Sequence, residues 1–460
     1  MIYSINTIFL IIFIIVNIVL RLFSIEGATF IEGADSSQYI NPAINIINHG
    51  SFSGSNDSLF TIGTPLYSML LLIPIKIFGF NSALSVIVLI QCVLLFTTGM
   101  LSRLILCQIF ESRKGGYLIQ GLVIFNPNSL ITAHLIQSET LFTLFLTIML
   151  FYSFCLIKNP SVRNSIFVGI FCGLLALIRP AGLYFALIMP IFIFAAYMAQ
   201  SSKSEIKKYV KFSFLTAITS ILIMTPWYAR NYIETDKFFL SSNSGYYLRD
   251  QYIQLLKIGR GWNEKESIDY IDNKTRDYYE RNKIDPSCLT KLRHWSCNDA
   301  LSRAIVGGII NEPFRYHAHA LLESWSYLYF SGGASNFRNY LGISGKNKIV
   351  SFQKDKHDGF NGIISLIRSI DYPYLYILLL TTSFSVITRI YGAIGVYYLI
   401  KNRNYWPYLI ILLGIVMLSM GMYLYLGQSR FRVPIEPILM FFTVAGLLGK
   451  KGVKYSAPTN

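Results

Sequence analysis

Polar and apolar positions along this chain fall into blocks rather than into helical or strand periods. The apolar blocks are about twenty residues long, the length a helix needs to cross the hydrocarbon core of a bilayer. The pattern predicts spans at 7–25, 83–107, 117–134, 139–157, 163–178, 182–199, 209–228, 374–399, 406–426 and 433–449, about ten transmembrane helices in all. The stretch 65–80 is shorter. Pro65 and Pro74 frame it and Lys76 interrupts it, so it reads as an interfacial or re-entrant helix. Residues 7–25 have neither a basic leader nor a small-residue cleavage site, and read as an uncleaved first span.

Two polar stretches separate the blocks. One is 26–64; the other is 229–373, the longest non-spanning region. They divide the chain into an N-terminal transmembrane module at 1–228 with its first outer loop at 26–64, a subdomain at 229–373, and a C-terminal transmembrane module at 374–460. Positions 230–300 hold 11 acidic and 12 basic residues, so this part of the subdomain is nearly neutral and faces water. Pro313 to Phe330 mixes aromatic and polar residues as an interfacial helix does.

Composition excludes the soluble alternatives. Charged residues make up 14% of the chain, against about 25% in soluble domains. A soluble fold with so few charges would expose large apolar patches. The net charge of +16 suggests nucleic-acid binding only if it is concentrated, and it is not. Lys and Arg sit in short clusters between apolar runs: Arg103, Arg113 and Lys114; Lys158 and Arg163; Lys203, Lys207, Lys208 and Lys211; Lys401 and Arg403; Lys450, Lys451 and Lys454. Those clusters orient a membrane protein with both termini inside.

That orientation places several ionisable residues at outer span ends, where intramembrane chemistry is to be sought. Asp35 follows the first span and reads either as the cap of a helix running to about Asn48 or as a catalytic acid. Glu139 opens the fourth span behind Ser138, which reads as its cap, and an acid there suits the helix dipole. Together Asp35 and Glu139 are a candidate divalent-metal pair that the sequence does not require. Arg179, Arg230, Arg430 and Arg432 gather on the side where basic residues should be scarce. Singly each reads equally well as a snorkelling side chain; as a set they suit an anion, and a lipid phosphate at headgroup depth fits. His317 and His319 lie two apart on a helix, face different ways and make no metal pair; they read as interfacial packing residues.

Four cysteines, Cys92, Cys107, Cys155 and Cys172, fall in apolar runs and read as small hydrophobes. Cys288 and Cys297 lie in the outer subdomain. Their spacing predicts a disulfide worth roughly 2–3 kcal/mol, with two unrelated thiols as the alternative.

The order of short motifs resembles the GT-C superfamily of polyprenyl-phosphate-sugar-dependent glycosyltransferases, which includes protein O-mannosyltransferases and lipid A aminoarabinose transferases. Asp35 and Tyr39 follow the first span, then His49, Gly50 and Phe52, then TPLYSMLLLIP from Thr64. SET at Ser138–Thr140, RPAG at Arg179–Gly182, PWYARNY at Pro226–Tyr232, NEPFRY at Asn311–Tyr316 and SRFRVPIEP at Ser429–Pro437 complete the series.

The resemblance implies an all-α, GT-C-like integral membrane bundle with an extracytoplasmic subdomain. It implies a glycosyltransferase that moves a sugar from a polyprenyl-phosphate donor, such as undecaprenyl phosphate, to a hydroxyl of a glycan, glycolipid or protein acceptor. The expected setting is a bacterial inner membrane with the site on the outer face. Asp35 corresponds to the catalytic acid and Glu139 to a second acidic position. Arg179, Arg230, Arg430, Arg432 and, more loosely, Lys76 become donor-phosphate candidates; Tyr39 and His49 become substrate-positioning candidates. Where the family often has an Asp-Glu pair, Asp35 is followed by Ser36.

A lipid-linked-oligosaccharide polymerase or ligase is the alternative reading. A transporter is a poorer one, because no repeated halves are visible and the ionisable residues singled out above lie at span ends.

Overall fold

The computed structural model describes residues 2–29, 36–54, 59–200, 206–343 and 372–452. Among them every regular element is a helix, apart from a single bridge between Ser53 and Leu59. The bundle end that carries residues 22, 80, 139 and 179 is called the outer end here, after the charge reading.

The chain opens with α1 (Ile2–Leu22), α2 (Ser36–His49), α3 (Pro65–Phe78) and α4 (Phe80–Ile109). α1 and α4 run antiparallel. Arg21 Nη2 donates to Ser85 Oγ at 2.9 Å at the outer end, and Arg103 Nη1 to Asn6 Oδ1 at 2.6 Å at the inner end. α2 packs against α3, and α3 against α4. Tyr67 of α3 donates to Gln91 Oε1 of α4 at 2.7 Å.

The next elements are α5 (Arg113–Ile124), α6 (Pro127–Ala133), α7 (Glu139–Lys158), α8 (Val162–Ile178), α9 (Gly182–Gln200) and α10 (Ile206–Thr235). Side-chain caps start several of them: Ser112 Oγ accepts from Gly115 N, Asn126 Oδ1 from Ser129 N, and Ser161 Oγ from Asn164 N. α8 and α9 meet so closely at the Arg-Pro-Ala-Gly turn that a Cβ on Gly182 would run into the backbone of Leu175. That contact explains the glycine.

α11 (Ser244–Gly259), α12 (Glu264–Arg281), α13 (Asn298–Ile310), α14 (Phe314–Phe330) and α15 (Ala334–Tyr340) form the outer subdomain. Tyr252, Leu255, Leu256, Ile271, Leu301, Ile305 and Ala320 make its core. Buried Glu312 accepts from Arg260 Nη2 at 2.7 Å and from Tyr252 Oη at 2.7 Å. Asn263 and Glu266 close a reciprocal capping box at the start of α12. Cys288 and Cys297 are joined in a disulfide with Cα atoms 5.3 Å apart.

α16 (Tyr372–Lys401), α17 (Trp406–Met422) and α18 (Glu436–Gly452) complete the bundle. Among the described residues eight helices are long and apolar enough to cross a membrane, and most present exposed Ile, Leu or Phe outward, as a lipid-facing surface requires.

Two of the ten expected spans are not among these eight. The run 163–178 is found in full as α8, whose 17 residues are short for a crossing, and 117–134 is broken into α5 and α6 at Phe125 and Asn126. Pro127 opens α6 behind the Asn126 cap, and the proline cannot supply the N–H that a continuous helix would need. Ser138 also departs from expectation: it precedes α7 but makes no side-chain cap.

Candidate functional site

The site is built where α2, α3, α7 and the α8–α9 turn converge at the outer end. α7 begins at Glu139, whose carboxylate is 1% exposed. Arg179, released from α8 by the turn at Pro180, meets it at 2.6 Å. A carboxylate and a guanidinium buried together satisfy each other, whereas either alone would be costly.

α2 is bolted to the same place. Ser36 Oγ donates to Ile136 O at 2.8 Å, and Tyr39 Oη pairs with Ser138 Oγ at 2.9 Å. The Tyr39 ring meets Tyr67 edge-on at 4.9 Å. Gln91, which receives the Tyr67 hydroxyl, donates in turn to Ala133 O and Leu135 O, fixing the turn before α7. Thr64 just before α3, Ser68 within it, and Gln137 and Thr140 beside Glu139 are buried with side-chain oxygens that meet no hydrogen-bond partner.

The segment after α17 closes another side. Its 3-10 turn Ser429–Ile435 packs against α6 and α7, and Asn128 Nδ2 donates to Ser429 O at 2.7 Å. Arg430 is half-buried. Its guanidinium lies 4.8 Å from the Phe431 ring centre, and its Nε donates to Gln428 Oε1 at 3.1 Å. From above, α11 brings in Tyr247. Burial pushes its hydroxyl pKa well up; nearby Tyr423 adds to that rise and Arg179 opposes it.

The structure separates the residues singled out by sequence. Tyr39, Glu139 and Arg179 come together, and packing of the 429–435 turn on α7 brings the Arg430 segment beside them. Asp35 lies outside the described residues; Ser36, next in sequence, is the one anchored to Ile136.

Arg432 is fully buried and held by the protein itself. It donates from Nε to Glu436 Oε1 at 2.5 Å, to Leu328 O, and from Nη2 to Ser331 O at 2.9 Å. Arg389 of α16 reaches the same carboxylate from Nη2 at 2.9 Å, so Glu436 sits between two guanidiniums. Arg230 donates to Phe60 O at 2.7 Å and Phe52 O at 3.2 Å and lies over the Trp227 ring, stapling the first outer loop to α10. Lys76 and His49 are exposed near the C-terminal ends of α3 and α2. His317 meets Tyr425 Oη at 2.6 Å and His319 lies 3.6 Å from Glu323, both as packing residues.

Sequence reading passed over Tyr67, Gln91, Tyr247, Arg389 and Glu436. A signal existed for two of them. Arg389 is the one charged residue in 374–399, and Glu436 is the one acid in 433–449.

Of the candidate metal pair, Asp35 lies outside the described residues and Glu139 is held by Arg179.

No family model and no curated protein sequence matches the chain. Solved structures do. The oligosaccharyltransferase of Archaeoglobus fulgidus in its apo form superposes with a TM-score of 0.53 at 16% identity, over 96% of this chain and 50% of that one. The same archaeal enzyme, AglB, in complex with an inhibitory peptide and a dolichol-phosphate gives 0.50 at 16%, over 95% and 50%. ArnT from Cupriavidus metallidurans bound to undecaprenyl phosphate gives 0.39 at 12%, over 96% and 77%. This chain spans about half the length of the archaeal enzyme it resembles. The likeness defines the fold: a helical membrane bundle like that of the archaeal oligosaccharyltransferase.

Proposed function

We propose that this chain is a membrane glycosyltransferase that transfers a sugar from a polyprenyl-phosphate donor to a hydroxyl of a glycan, glycolipid or protein acceptor at the outer membrane face. The observation that carries the reading is the buried Glu139–Arg179 pair at the outer end of the bundle, onto which Ser36 and Tyr39 bolt the helix that follows Asp35. The fold shared with AglB, whose solved complex contains a dolichol-phosphate, supports a lipid-phosphate substrate.

The chemistry requires a base and a stabilised leaving group. Asp35 takes the proton of the acceptor hydroxyl as its oxygen bonds to the anomeric carbon. The bond from that carbon to the phosphate oxygen breaks, and the polyprenyl phosphate leaves with the electron pair. Positive charge from Arg179 and Arg430 stabilises the departing monophosphate. A single displacement inverts the anomeric centre. Glu139 orients Arg179 and, with Tyr39, shapes the wall against which the sugar lies. Arg432 and Arg230 act at one remove, by fixing the segments that carry Arg430 and the first outer loop. The outer face corresponds to the periplasmic side of a bacterial inner membrane.

The test is turnover of purified protein against a panel of undecaprenyl-phosphate sugars, with Asp35→Asn as control. The reading requires product with the wild type and a loss of at least a thousandfold in the variant, with donor binding retained. Near wild-type transfer by Asp35→Asn would remove the base.

A further inference from the structure

The outer subdomain grips the short connection between α17 and the 429–435 turn with an unusual density of side chains. α17 ends at Met422, leaving backbone groups without helical partners. Gln251, a buried residue of α11, satisfies one of them and a backbone amide three residues on. Its Nε2 donates to Met422 O at 3.1 Å and its Oε1 accepts from Tyr425 N at 2.8 Å. Tyr247, one turn earlier, donates its hydroxyl to the same Met422 carbonyl at 2.9 Å. From α14, Ser324 donates to Tyr425 O at 2.8 Å, and His317 meets the Tyr425 hydroxyl. The approach is close enough that a Cβ on Gly427 would strike the backbone of Ser324.

What is gripped bears on the site. Tyr423, between the two clamped residues, stacks on Phe431 with ring centres 4.4 Å apart and planes 6° from parallel. Phe431 in turn carries the Arg430 guanidinium on its face. A rigid path therefore runs from Gln251 through residues 422–425 and the Tyr423–Phe431 stack to Arg430.

We propose that Gln251, with Tyr247, is a positioning residue for Arg430, so that the water-facing subdomain sets how tightly the membrane module holds a lipid phosphate. This rests on the phosphate reading of Arg430 given above.

The physical reason is preorganisation. A cation on an irregular segment binds a phosphate well only if its position is fixed beforehand, because otherwise binding must also order the segment. Gln251 bridges the ends of a tight turn, a task that neither Leu nor Glu can repeat: Leu has no polar atoms, and Glu keeps the acceptor for Tyr425 N but loses the donor for Met422 O.

The test measures undecaprenyl monophosphate binding to the purified full-length chain, with undecaprenol as the phosphate-free control. Gln251→Leu and Arg430→Gln should each weaken the phosphate lipid about tenfold and leave undecaprenol unchanged, and the double variant should be no worse than either single one. Tyr247→Phe, which keeps the ring and removes one hydroxyl, should give a smaller loss, about threefold, and guards against misfolding of the leucine variant. If Arg430→Gln weakens phosphate binding but Gln251→Leu and Tyr247→Phe do not, the proposal fails and the phosphate reading stands. Additive losses in the double variant also overturn it. If Arg430→Gln binds as wild type, the phosphate reading of Arg430 fails first and takes this proposal with it.

Discussion

Two buried charge clusters stand at the outer end of the bundle, and they differ in what their arginines hold. Around Glu436, two guanidiniums converge on one carboxylate, and Arg432 also takes the carbonyls of Leu328 and Ser331. That cluster knots α14, α16 and α18 together from within. Around Glu139 there is one guanidinium and one carboxylate, set where α2, α3, α7 and the α8–α9 turn converge, with side-chain oxygens nearby that have no partner. The contrast teaches that a basic residue on the unexpected side of a membrane is not by itself a ligand site. Arg432 is spent on the protein's own carboxylate and carbonyls.

The sharpest break of this comparison is Glu436→Gln. It leaves Arg389 and Arg432 buried without a counter-charge, and stability should fall by about 3–5 kcal/mol. Thermal unfolding in detergent measures it, and a loss below about 1 kcal/mol would mean that the guanidiniums reach water.

Arg179→Ala tests the other cluster. It strands Glu139 and should cost on the order of 3 kcal/mol. Making the pair neutral, with Arg179→Gln and Glu139→Gln together, should recover at least half of that. Transfer should nonetheless stay down by roughly a hundredfold or more, because the charge facing the leaving group is gone. No such separation of stability from activity is expected at Glu436.

Cys297→Ser should weaken the outer subdomain by roughly 2–3 kcal/mol, read as faster proteolysis within 244–310 while the transmembrane helices keep their protection. The smallest effect is local. Arg230→Ala frees the carbonyls of Phe52 and Phe60 at a cost of about 2 kcal/mol, seen as faster amide exchange at 59–62. Unchanged exchange there would remove the staple.

The bundle was legible in the sequence because lipid imposes a length and a hydropathy that few other settings demand, so the spans from α7 to α10 stand within a few residues of expectation, apart from the outward extension of α10 to Thr235. The break at Asn126 was harder to read, because the residues around it remain apolar and only the Asn-Pro step marks it. At the site, Glu139 and Arg179 could be read as outer-end charges, but their pairing could not, since forty residues separate them and only the packing of α7 against α8 brings them together. Arg432 looked like Arg430 in sequence. Its different fate is set by Glu436, one helical turn on, and by Arg389 from a distant span. Gln251 carried no signal at all: a glutamine in an amphipathic helix becomes distinctive only when the end of another helix lands on it.

The first outer loop has a consequence for how the protein is made. Its anchors lie far downstream: Ser36 bonds to Ile136, Thr61 to Ser242, and Phe52 and Phe60 to Arg230. A ribosome that has synthesised the loop has not yet synthesised what holds it. Helix α2 must wait for α7, and the far end of the loop for the outer end of α10, so the proposed catalytic segment is among the first parts translocated and among the last to settle. A fragment ending before residue 230 would contain Asp35, Glu139 and Arg179 and still lack the staple at Phe52 and Phe60.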